Sequence, residues 1–232
     1  MMKLTNKSRP VTTLFMLMSV DGKISTGSND TLDFDADLPK IPGVREGLPQ
    51  YYEIEQTTDL WSCCSGRVQA KMGVNHKPFP NKSEVSFVLI DDDQLTAHGV
   101  EYFCHLSATL VIVTNNLQHP AYSIKADNLH ILYHQPLDLA ATLDELKSKF
   151  HCQRLTIQTG GTLNSIFLRE KLIDYLDIVV APILVGGQNV STLIDGQGIT
   201  NPDQLNQLGV VRLISAETLA NSYLRLRYQT VS

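Results

Sequence analysis

Short apolar runs alternate with helix-forming segments along most of the chain, and this alternation constrains the fold more than any other feature. The first run, Val11–Ser19, is strongly apolar and has the length of a buried strand. Further strands are predicted on the same grounds at 59–64, 85–91, 108–116, 129–134, 154–159 and 174–185. Helices are predicted at 48–57, 65–73, 138–150 and 160–173. Strands that alternate with helices form a largely parallel sheet with helices on both faces, so the sequence predicts an α/β fold.

Two segments depart from this pattern. Residues 26–43 are rich in Gly, Pro and Asp and predict a long loop, whereas residues 209–231 predict an antiparallel pair of strands. Alternation in the second of these strands predicts one face with Tyr223, Arg225 and Arg227 and another with Leu224, Leu226 and Tyr228. Because no repeat or linker interrupts the chain, we predict one domain spanning 1–232, with a mixed, mainly parallel sheet and a closing hairpin.

Composition and charge argue against some classes of function. The 232 residues carry a net charge of −5, whereas general nucleic-acid binders usually present a basic face. No stretch approaches the ~18 apolar residues of a membrane span, and residues 1–13 lack the apolar core of a secretory signal. Cys63, Cys64, Cys104 and Cys152 show no C-x-x-C spacing and predict free, mostly buried thiols. We therefore expect a cytoplasmic protein without nucleic-acid or membrane partners.

The loop after the first strand brings polar side chains to the edge of the predicted sheet. Ligands of open α/β sheets bind at the carboxyl ends of the strands. Ser19, Asp21 and Lys23 emerge together at such an end, and Gly22 suits a turn that needs a positive φ. Taken alone, this pattern is also typical of a plain turn with solvated Asp and Lys side chains.

The loops after three other strands carry groups that suit anions. Ser65, Gly66 and Arg67 open a predicted helix, whose free N–H groups and forked guanidinium favour a phosphate, although a capped helix with a surface Arg has the same pattern. The run 114–116, Thr-Asn-Asn, can donate to a phosphate or to ribose hydroxyls, or form ordinary turns.

The glycine pair after the strand at 154–159 is the strongest of these signals. Gly160 and Gly161 let the backbone approach a pyrophosphate closely, and the helix from Thr162 onward points its N–H groups at it. The alternative is a tight turn chosen for packing alone. A buried stripe of Leu163, Ile166 and Phe167 is predicted to fix this helix on the sheet. Together the loops predict a long, multiply anionic ligand such as a dinucleotide.

Two motifs resemble a known family. LMSVDGKIS (17–25) is similar to the opening motif of the reductase domain of the bifunctional riboflavin-biosynthesis deaminase–reductase, and GGTLNSIFLREKLIDYLDIVVAPILVGG (160–187) resembles a later part of that domain. The resemblance implies a dihydrofolate-reductase-like fold and NADPH as the hydride donor. The implied substrate is 5-amino-6-(5-phosphoribosylamino)uracil or its 2,5-diamino-pyrimidinone relative, whose opened ribosyl imine carbon receives the hydride.

The resemblance also implies roles for the residues at the strand ends. It assigns substrate and nicotinamide contacts to Ser19, Asp21, Lys23 and the position of Thr159. It assigns cofactor contacts to Ser65, Gly66, Arg67, Thr114, Asn115, Gly160, Gly161, Thr162 and Leu163. Among these residues, Asp21 is expected to orient the substrate or handle a proton, and Lys23 to bind an anionic end of the substrate. The family resemblance also implies a homodimer, for which the hairpin edge Leu224–Arg227 is the predicted contact.

Some features depart from the family pattern. The family commonly has Glu where this chain has Thr159, and residues 29–61 fit the pattern poorly. The H-x-E and P-C-x-x-C signatures of the zinc deaminase domain are absent from this sequence, which predicts a stand-alone reductase. Two alternatives therefore stay open: reduction of a different small heterocycle or carbonyl compound on the same fold, and a non-catalytic NADP-binding protein.

Other chemistry finds little support in the sequence. Asp33, Asp35 and Asp37 lack the Gly and Glu that complete a calcium loop, so no metal is expected. The run 91–93, Asp-Asp-Asp, is interpreted as a solvated turn, and the histidines show no ligand spacing. No G-x-S-x-G motif supports serine-based hydrolysis.

Overall fold

The computed structural model describes residues 8–231; residues 1–7, where the absence of a secretory signal was predicted, and residue 232 lie outside the described part. Its strands are β1 (Val11–Ser19), β2 (Trp61–Ser65), β3 (Ser86–Ile90), β4 (Leu110–Thr114), β5 (Leu129–Tyr133), β6 (Arg154–Gln158), β7 (Tyr175–Ala181), β8 (Val210–Thr218) and β9 (Leu224–Val231). Its α-helices are α1 (Phe34–Asp37), α2 (Pro49–Glu55), α3 (Gly66–Lys71), α4 (Ala97–Leu106), α5 (Leu139–Phe150) and α6 (Gly161–Arg169). The chain divides into two compact units, the first made of residues 8–12 and Asp59–Leu155 and the second of Thr13–Thr58 and 156–231.

The first unit contains four parallel strands in the order β5-β4-β3-β2. Strand β4 is buried along its whole length, as expected for a parallel strand covered on both faces. Val100 and Phe103 of α4 lie in one buried cluster with Leu89, Leu110 and Ile112 of the strands. Because all four strands point the same way, the loops after β2, β3 and β4 leave from the same edge of this sheet segment.

The second unit has the strand order β6-β1-β7-β9-β8. Strand β1 is parallel to β7, while the pairs β7–β9 and β8–β9 are antiparallel. Phe15 and Leu17 of β1 and Val179 of β7 are fully or almost fully buried in one cluster with residues of 34–51. The Tyr51 ring of α2 stacks on Phe15 with 5.1 Å between ring centroids, which fixes α2 over β1.

The predicted mixed, mainly parallel arrangement with a closing hairpin is confirmed, and the bounds of β1 match the prediction. The prediction of a long loop at 26–43 is wrong in its middle, where α1 and a short 3₁₀ helix (Leu38–Lys40) form. The Asp33 side chain caps α1 by accepting from the N–H of Asp35. Phe34 and Leu38, one helical turn apart, are both buried. The segment is therefore part of the core of the second unit.

The C-terminal hairpin confirms one prediction and corrects another. Arg225 and Arg227 share a face as predicted, because both approach the Asp177 carboxylate, at 2.6 and 3.7 Å. The predicted free edge at Leu224–Arg227 is wrong, since β9 pairs with β7 on one side and β8 on the other. The edge strand of this unit is β8.

Tyr223, directly before β9, ties the hairpin to the segment that precedes α2. Its side chain is fully buried, and its hydroxyl donates to the carbonyl of Val44 at 2.8 Å. A phenylalanine would keep the packing but leave the Val44 carbonyl with only its longer hydrogen bond, from the Gly47 N–H at 3.2 Å. The hydroxyl therefore stabilises the fold through one specific bond.

We expect Tyr223→Phe to lower the free energy of unfolding by about 0.5–1.5 kcal/mol, because one buried hydrogen bond is lost while the Gly47 N–H still donates to the same carbonyl. Urea-induced unfolding followed by circular dichroism measures this loss. Tyr122→Phe is the matched control, since Tyr122 is 46% exposed. Equal unfolding curves for the two variants would contradict the assigned role of the Tyr223 hydroxyl.

Candidate active site

The turn after β1 is built around the Ser19 hydroxyl. Ser19 is buried, accepts from the backbone N–H of Lys23 at 2.8 Å, and donates to Asp21 Oδ1 at 2.6 Å. Gly22 has the predicted positive φ, at +78°, and its N–H donates to the Ser19 carbonyl. These bonds hold the Asp21 and Lys23 side chains in fixed positions at the carboxyl end of β1.

Asp21 binds the loop that follows β7. Its carboxylate accepts from the backbone N–H groups of Val185, at 3.1 Å, and Gly186, at 2.6 Å. The hydrogen bond from Ser19, assisted by these two N–H groups, lowers the pKa of Asp21 to about 2. The side chain is therefore ionised at neutral pH and is a poor proton donor there.

Lys23 binds the same loop through groups of the opposite polarity. Its Nζ donates to the carbonyls of Gly187, at 2.9 Å, and Val190, at 3.1 Å. Gly186 and Gly187 both have positive φ, so the loop turns sharply between the N–H groups that Asp21 binds and the carbonyls that Lys23 binds. The ammonium predicted to bind an anionic substrate end thus already contacts two backbone carbonyls.

The glycine pair at 160–161 opens α6, with Gly160 at the N-cap and Gly161 as the first helical residue. Gly160 has no side chain to cap the helix, so N–H groups of the first turn face outward from the helix start. Gly161 also has a packing reason: a Cβ there would lie 2.3 Å from the Thr192 carbonyl oxygen and 2.4 Å from Asp195 Oδ2. The packing of the protein therefore requires glycine at position 161, whether or not a ligand binds there.

Thr159, the residue before this pair, is buried and donates from its hydroxyl to Asn164 Oδ1 at 2.6 Å. Asn164 in turn donates to the Leu193 carbonyl at 2.8 Å. The predicted buried stripe of α6 is only partly right. Phe167 is buried as predicted, but Leu163 and Ile166 are half-buried, and the polar Asn164 and Ser165 are buried instead. Asn164 can lie inside because Thr159 and Leu193 satisfy its amide.

One segment joins the two candidate loops of the second unit. In 191–195, Leu193 donates its N–H to the Gly22 carbonyl at 3.0 Å, and Asp195 donates its N–H to the Gly161 carbonyl at 3.0 Å. The same stretch of chain lines a polar groove of about 540 Å³ together with Arg169. The structure thus brings Ser19, Asp21, Lys23, Thr159 and the residues 160–163 into one hydrogen-bonded assembly.

In the first unit, residues 65–67 lie at the start of the six-residue helix α3. Ser65 occupies the N-cap position as predicted, but its side chain makes no capping bond. Gly66 is buried against Asp91, since a Cβ would lie 2.2 Å from Asp91 Oδ1, and Arg67 is exposed. The loop after β2 therefore packs closely against the Asp91 carboxylate, which belongs to the loop after β3.

Thr114 and Asn115 contact a second carboxylate of that loop. Asp92 Oδ1 accepts from the Asn115 N–H at 2.9 Å and from the Thr114 hydroxyl at 3.3 Å. Thr114 is fully buried, whereas Asn115 is exposed. The two donors that were predicted to bind a ligand here already donate hydrogen bonds to the Asp92 side chain.

The interpretation of 91–93 as a solvated turn is wrong for Asp91, which is 3% exposed. Its carboxylate accepts from the N–H groups of Gln94 and Leu95 and contacts His119 Nε2 at 2.8 Å. The Ala121 N–H donates to His119 Nδ1, so we infer that Nε2 carries the hydrogen and donates to Asp91. No local spacing in the sequence reveals this pair, because its members follow different strands.

Glu55, at the end of α2, was also missed by the sequence analysis. Burial raises the pKa of its carboxyl, and Gln158 donates to it from Nε2 at 2.5 Å. Gln158 is the last residue of β6, so this carboxyl lies beside the strand end that leads to the glycine pair. The contact spans 103 positions of sequence and leaves no local signal.

The described residues, 8–231, contain no cluster of three His, Cys, Asp or Glu side chains arranged to hold a metal ion. Cys63, Cys64 and Cys152 are free and buried and Cys104 is half-buried, which confirms the prediction for the thiols. Within the same range, no helix combines the length and the apolar character needed to span a membrane.

Several curated protein sequences are similar to this chain. The 2,5-diamino-6-ribosylamino-4(3H)-pyrimidinone 5′-phosphate reductase of Methanothermobacter thermautotrophicus is 25% identical, and the alignment covers 82% of this chain and 86% of that protein. The riboflavin biosynthesis protein RibD of Actinobacillus pleuropneumoniae is 24% identical over 97% of this chain. This chain covers only 58% of that RibD.

The fold agrees with these similarities. The structure of Acinetobacter baumannii RibD superposes with a TM-score of 0.68 at 18% identity, over 97% of this chain and 59% of that one. This likeness confirms the predicted dihydrofolate-reductase-like fold. The sequence profile of the RibD C-terminal domain matches residues 83–224, which is more than half of the chain. The chain therefore belongs to the family of the RibD C-terminal domain, as its two motifs predict.

Proposed function

We propose that this chain is a pyrimidine reductase of riboflavin biosynthesis. Its substrate would be 5-amino-6-(5-phosphoribosylamino)uracil or the 2,5-diamino-pyrimidinone relative, and hydride would reach the opened ribosyl imine carbon. The main support is the similarity to the Methanothermobacter reductase, which extends over 86% of that protein. A cytoplasmic location and a lack of nucleic-acid partners belong to the same proposal.

A reduced nicotinamide dinucleotide would supply the hydride, while the chain positions it and shapes the electrostatics. In the second unit the proposed cofactor contacts are Gly160, Gly161, Thr162 and Leu163; in the first they are Ser65, Gly66, Arg67, Thr114 and Asn115. The start of α6 fits an anionic group, because its N-cap has no side chain to occupy the N–H groups. The resemblance implies NADPH, and the choice between NADPH and NADH depends on the residues around the ribose 2′ position.

The proposed substrate contacts are Ser19, Asp21, Lys23 and Thr159. Since Asp21 is held ionised by its hydrogen bonds, we assign it to orientation of the site and not to proton donation. It acts partly through the loop after β7, whose N–H groups it binds. Lys23 acts on the same loop from the carbonyl side.

A second candidate function is reduction of a different heterocycle or carbonyl compound on this fold. The observation in its favour is Thr159, where the family commonly has Glu. The Thr159 hydroxyl is buried against Asn164 and brings no charge to the substrate side. A third candidate, an NADP-binding protein without catalysis, predicts cofactor binding without turnover.

One set of assays separates these candidates. We expect calorimetry to detect binding of a reduced nicotinamide dinucleotide, and loss of its absorbance when the phosphoribosylamino-pyrimidine substrate is added. Turnover only with another carbonyl or heterocyclic compound would favour the second candidate. Failure to bind either NADPH or NADH at millimolar concentration would refute the proposed function.

We expect Asp21→Asn to lower kcat by about tenfold or more, because charge-assisted bonds to the loop are worth about 1.5–3 kcal/mol. Cofactor affinity should stay near normal. Asp203→Asn, which removes an exposed carboxylate from the segment Pro202–Gln207, is the control for charge. In the parent, no ionisation of Asp21 should appear in the pH profile of kcat between about pH 5 and about pH 9. An unchanged kcat in Asp21→Asn would remove Asp21 from the mechanism.

We also propose that the chain forms a homodimer through the apolar face of β8. The register places Val211 and Leu213 on the face of Leu226 and Tyr228, and they are 40% and 53% exposed. Every residue of β8 except the half-buried Ser215 is exposed. An apolar face on an edge strand is typical of a surface covered by a second copy.

Leu213→Glu is expected to shift the mass measured by light scattering from dimer to monomer, since it places a carboxylate in the proposed interface. Ser215→Glu is the matched control, because the register puts Ser215 opposite Arg227 on the polar face of the same strand. A monomeric parent, or dimers in both variants, would contradict this interface.

A further inference from the structure

The family resemblance places Thr114 and Asn115 where the 2′-phosphate of the adenosine ribose would bind, and Asp92 contacts both residues. Asp92 is the second residue after β3 and is exposed. Its Oδ1 accepts from the Asn115 N–H and the Thr114 hydroxyl, and its own carbonyl accepts from Asn116 Nδ2 at 2.7 Å. The two groups proposed to contact the cofactor here are therefore bonded to a carboxylate.

This arrangement disfavours a phosphate on the ribose 2′ oxygen. Sites that bind the 2′-phosphate use cations and unoccupied donors, commonly an Arg. The proposed cofactor contacts of the first unit include one cation, Arg67 of α3, which follows β2. Between Ser83 and Ile124, which includes β3, β4 and their following loops, the sequence has no Lys or Arg. The carboxylate of Asp92 adds a like charge and occupies the Thr114 and Asn115 donors.

The same arrangement suits an unmodified ribose. A carboxylate at the end of a parallel strand accepts hydrogen bonds from the ribose hydroxyls in sites that bind NAD. None of the hydrogen bonds within residues 8–231 engages Asp92 Oδ2, so that oxygen can accept from a ligand hydroxyl. The Asp92 carboxylate thus offers the acceptor that a ribose diol requires.

The backbone under Asp92 is held firmly. The adjacent Asp91 is buried and bonded to Gln94, Leu95 and His119. Asn116 binds the Asp92 carbonyl from the neighbouring loop. A carboxylate fixed in this way loses little freedom when it binds a diol, and it cannot easily turn away from a phosphate.

We propose that Asp92 is the specificity-determining residue for the cofactor, that its carboxylate accepts from the adenosine ribose hydroxyls, and that the chain uses NADH in preference to NADPH. This inference rests on the proposed function, because it presupposes that the loops after β3 and β4 bind the adenosine end of a nicotinamide dinucleotide. Compared with the cofactor that the resemblance implies, the proposal changes only the 2′ substituent of the ribose, from a phosphate to a hydroxyl.

The test compares dissociation constants for NADH and NADPH, measured by calorimetry on the parent and on Asp92→Asn. We expect the parent to bind NADH at least about tenfold more tightly than NADPH. In Asp92→Asn that ratio should fall by about tenfold, because the amide oxygen still accepts from Thr114 and Asn115 while the charge is lost. The retained bonds also make it a variant that keeps the loop structure.

Asp93→Asn is the matched control, since it removes the neighbouring exposed carboxylate and the same unit of charge. It should leave the ratio of the two constants unchanged. A parent that binds NADPH as tightly as NADH, or a ratio that moves equally in both variants, would overturn the role of Asp92. Binding of neither dinucleotide would instead overturn the proposed function itself.

Discussion

The candidate site of the second unit depends on two opposite charges that bind one loop. Asp21 accepts hydrogen bonds from the backbone N–H groups of Val185 and Gly186. Lys23 donates hydrogen bonds to the carbonyls of Gly187 and Val190. A loop with consecutive positive-φ glycines has no repetitive hydrogen bonding of its own, so side chains must satisfy its backbone. The turn after β1 therefore organises the site before any ligand contributes.

In the first unit, two acidic residues have the same function. Asp91, buried with His119, and Asp92, exposed beside Thr114 and Asn115, connect the loops after β3 and β4. Asp91 also fills the space over Gly66 at the start of α3. In both units, carboxylates that the sequence presents as surface groups bind the backbone of the strand-end loops.

Much of the fold could be predicted because its signals are local. Three such signals are the apolar run Val11–Ser19, the helical spacing of residues 138–150 and the alternation of Arg225 and Arg227, and each depends on a few neighbouring residues. The helical turn that buries Phe34 and Leu38 was hidden by flanking Gly, Pro and Asp residues, which are typical of loops. In this segment the loop-like composition was a stronger signal than the spacing of Phe34 and Leu38, which is that of a helix.

The place of the candidate residues at strand ends was predictable, but their contacts were not. The rule that ligands bind at strand ends selected residues 19–23, 65–67, 114–115 and 159–163 as candidates, and these residues do lie at or after the ends of strands β1, β2, β4 and β6. It could not show that Asp91 meets His119 or that Gln158 meets Glu55, because these partners lie 28 and 103 positions apart. Long-range polar pairs leave no periodicity in a sequence, and they decide which donors stay available to a ligand.

Gly161 shows how such a pair of glycines should be interpreted in other members of the family. The carbonyl of Thr192 and the carboxylate of Asp195 fill the space in which its Cβ would stand. Any descendant that keeps this loop crossing must keep the glycine, even after it has lost the ability to bind a nucleotide. The glycine at 161 is thus required by the packing of this loop, and its presence alone does not distinguish a chain that binds a nucleotide from one that only shares the fold.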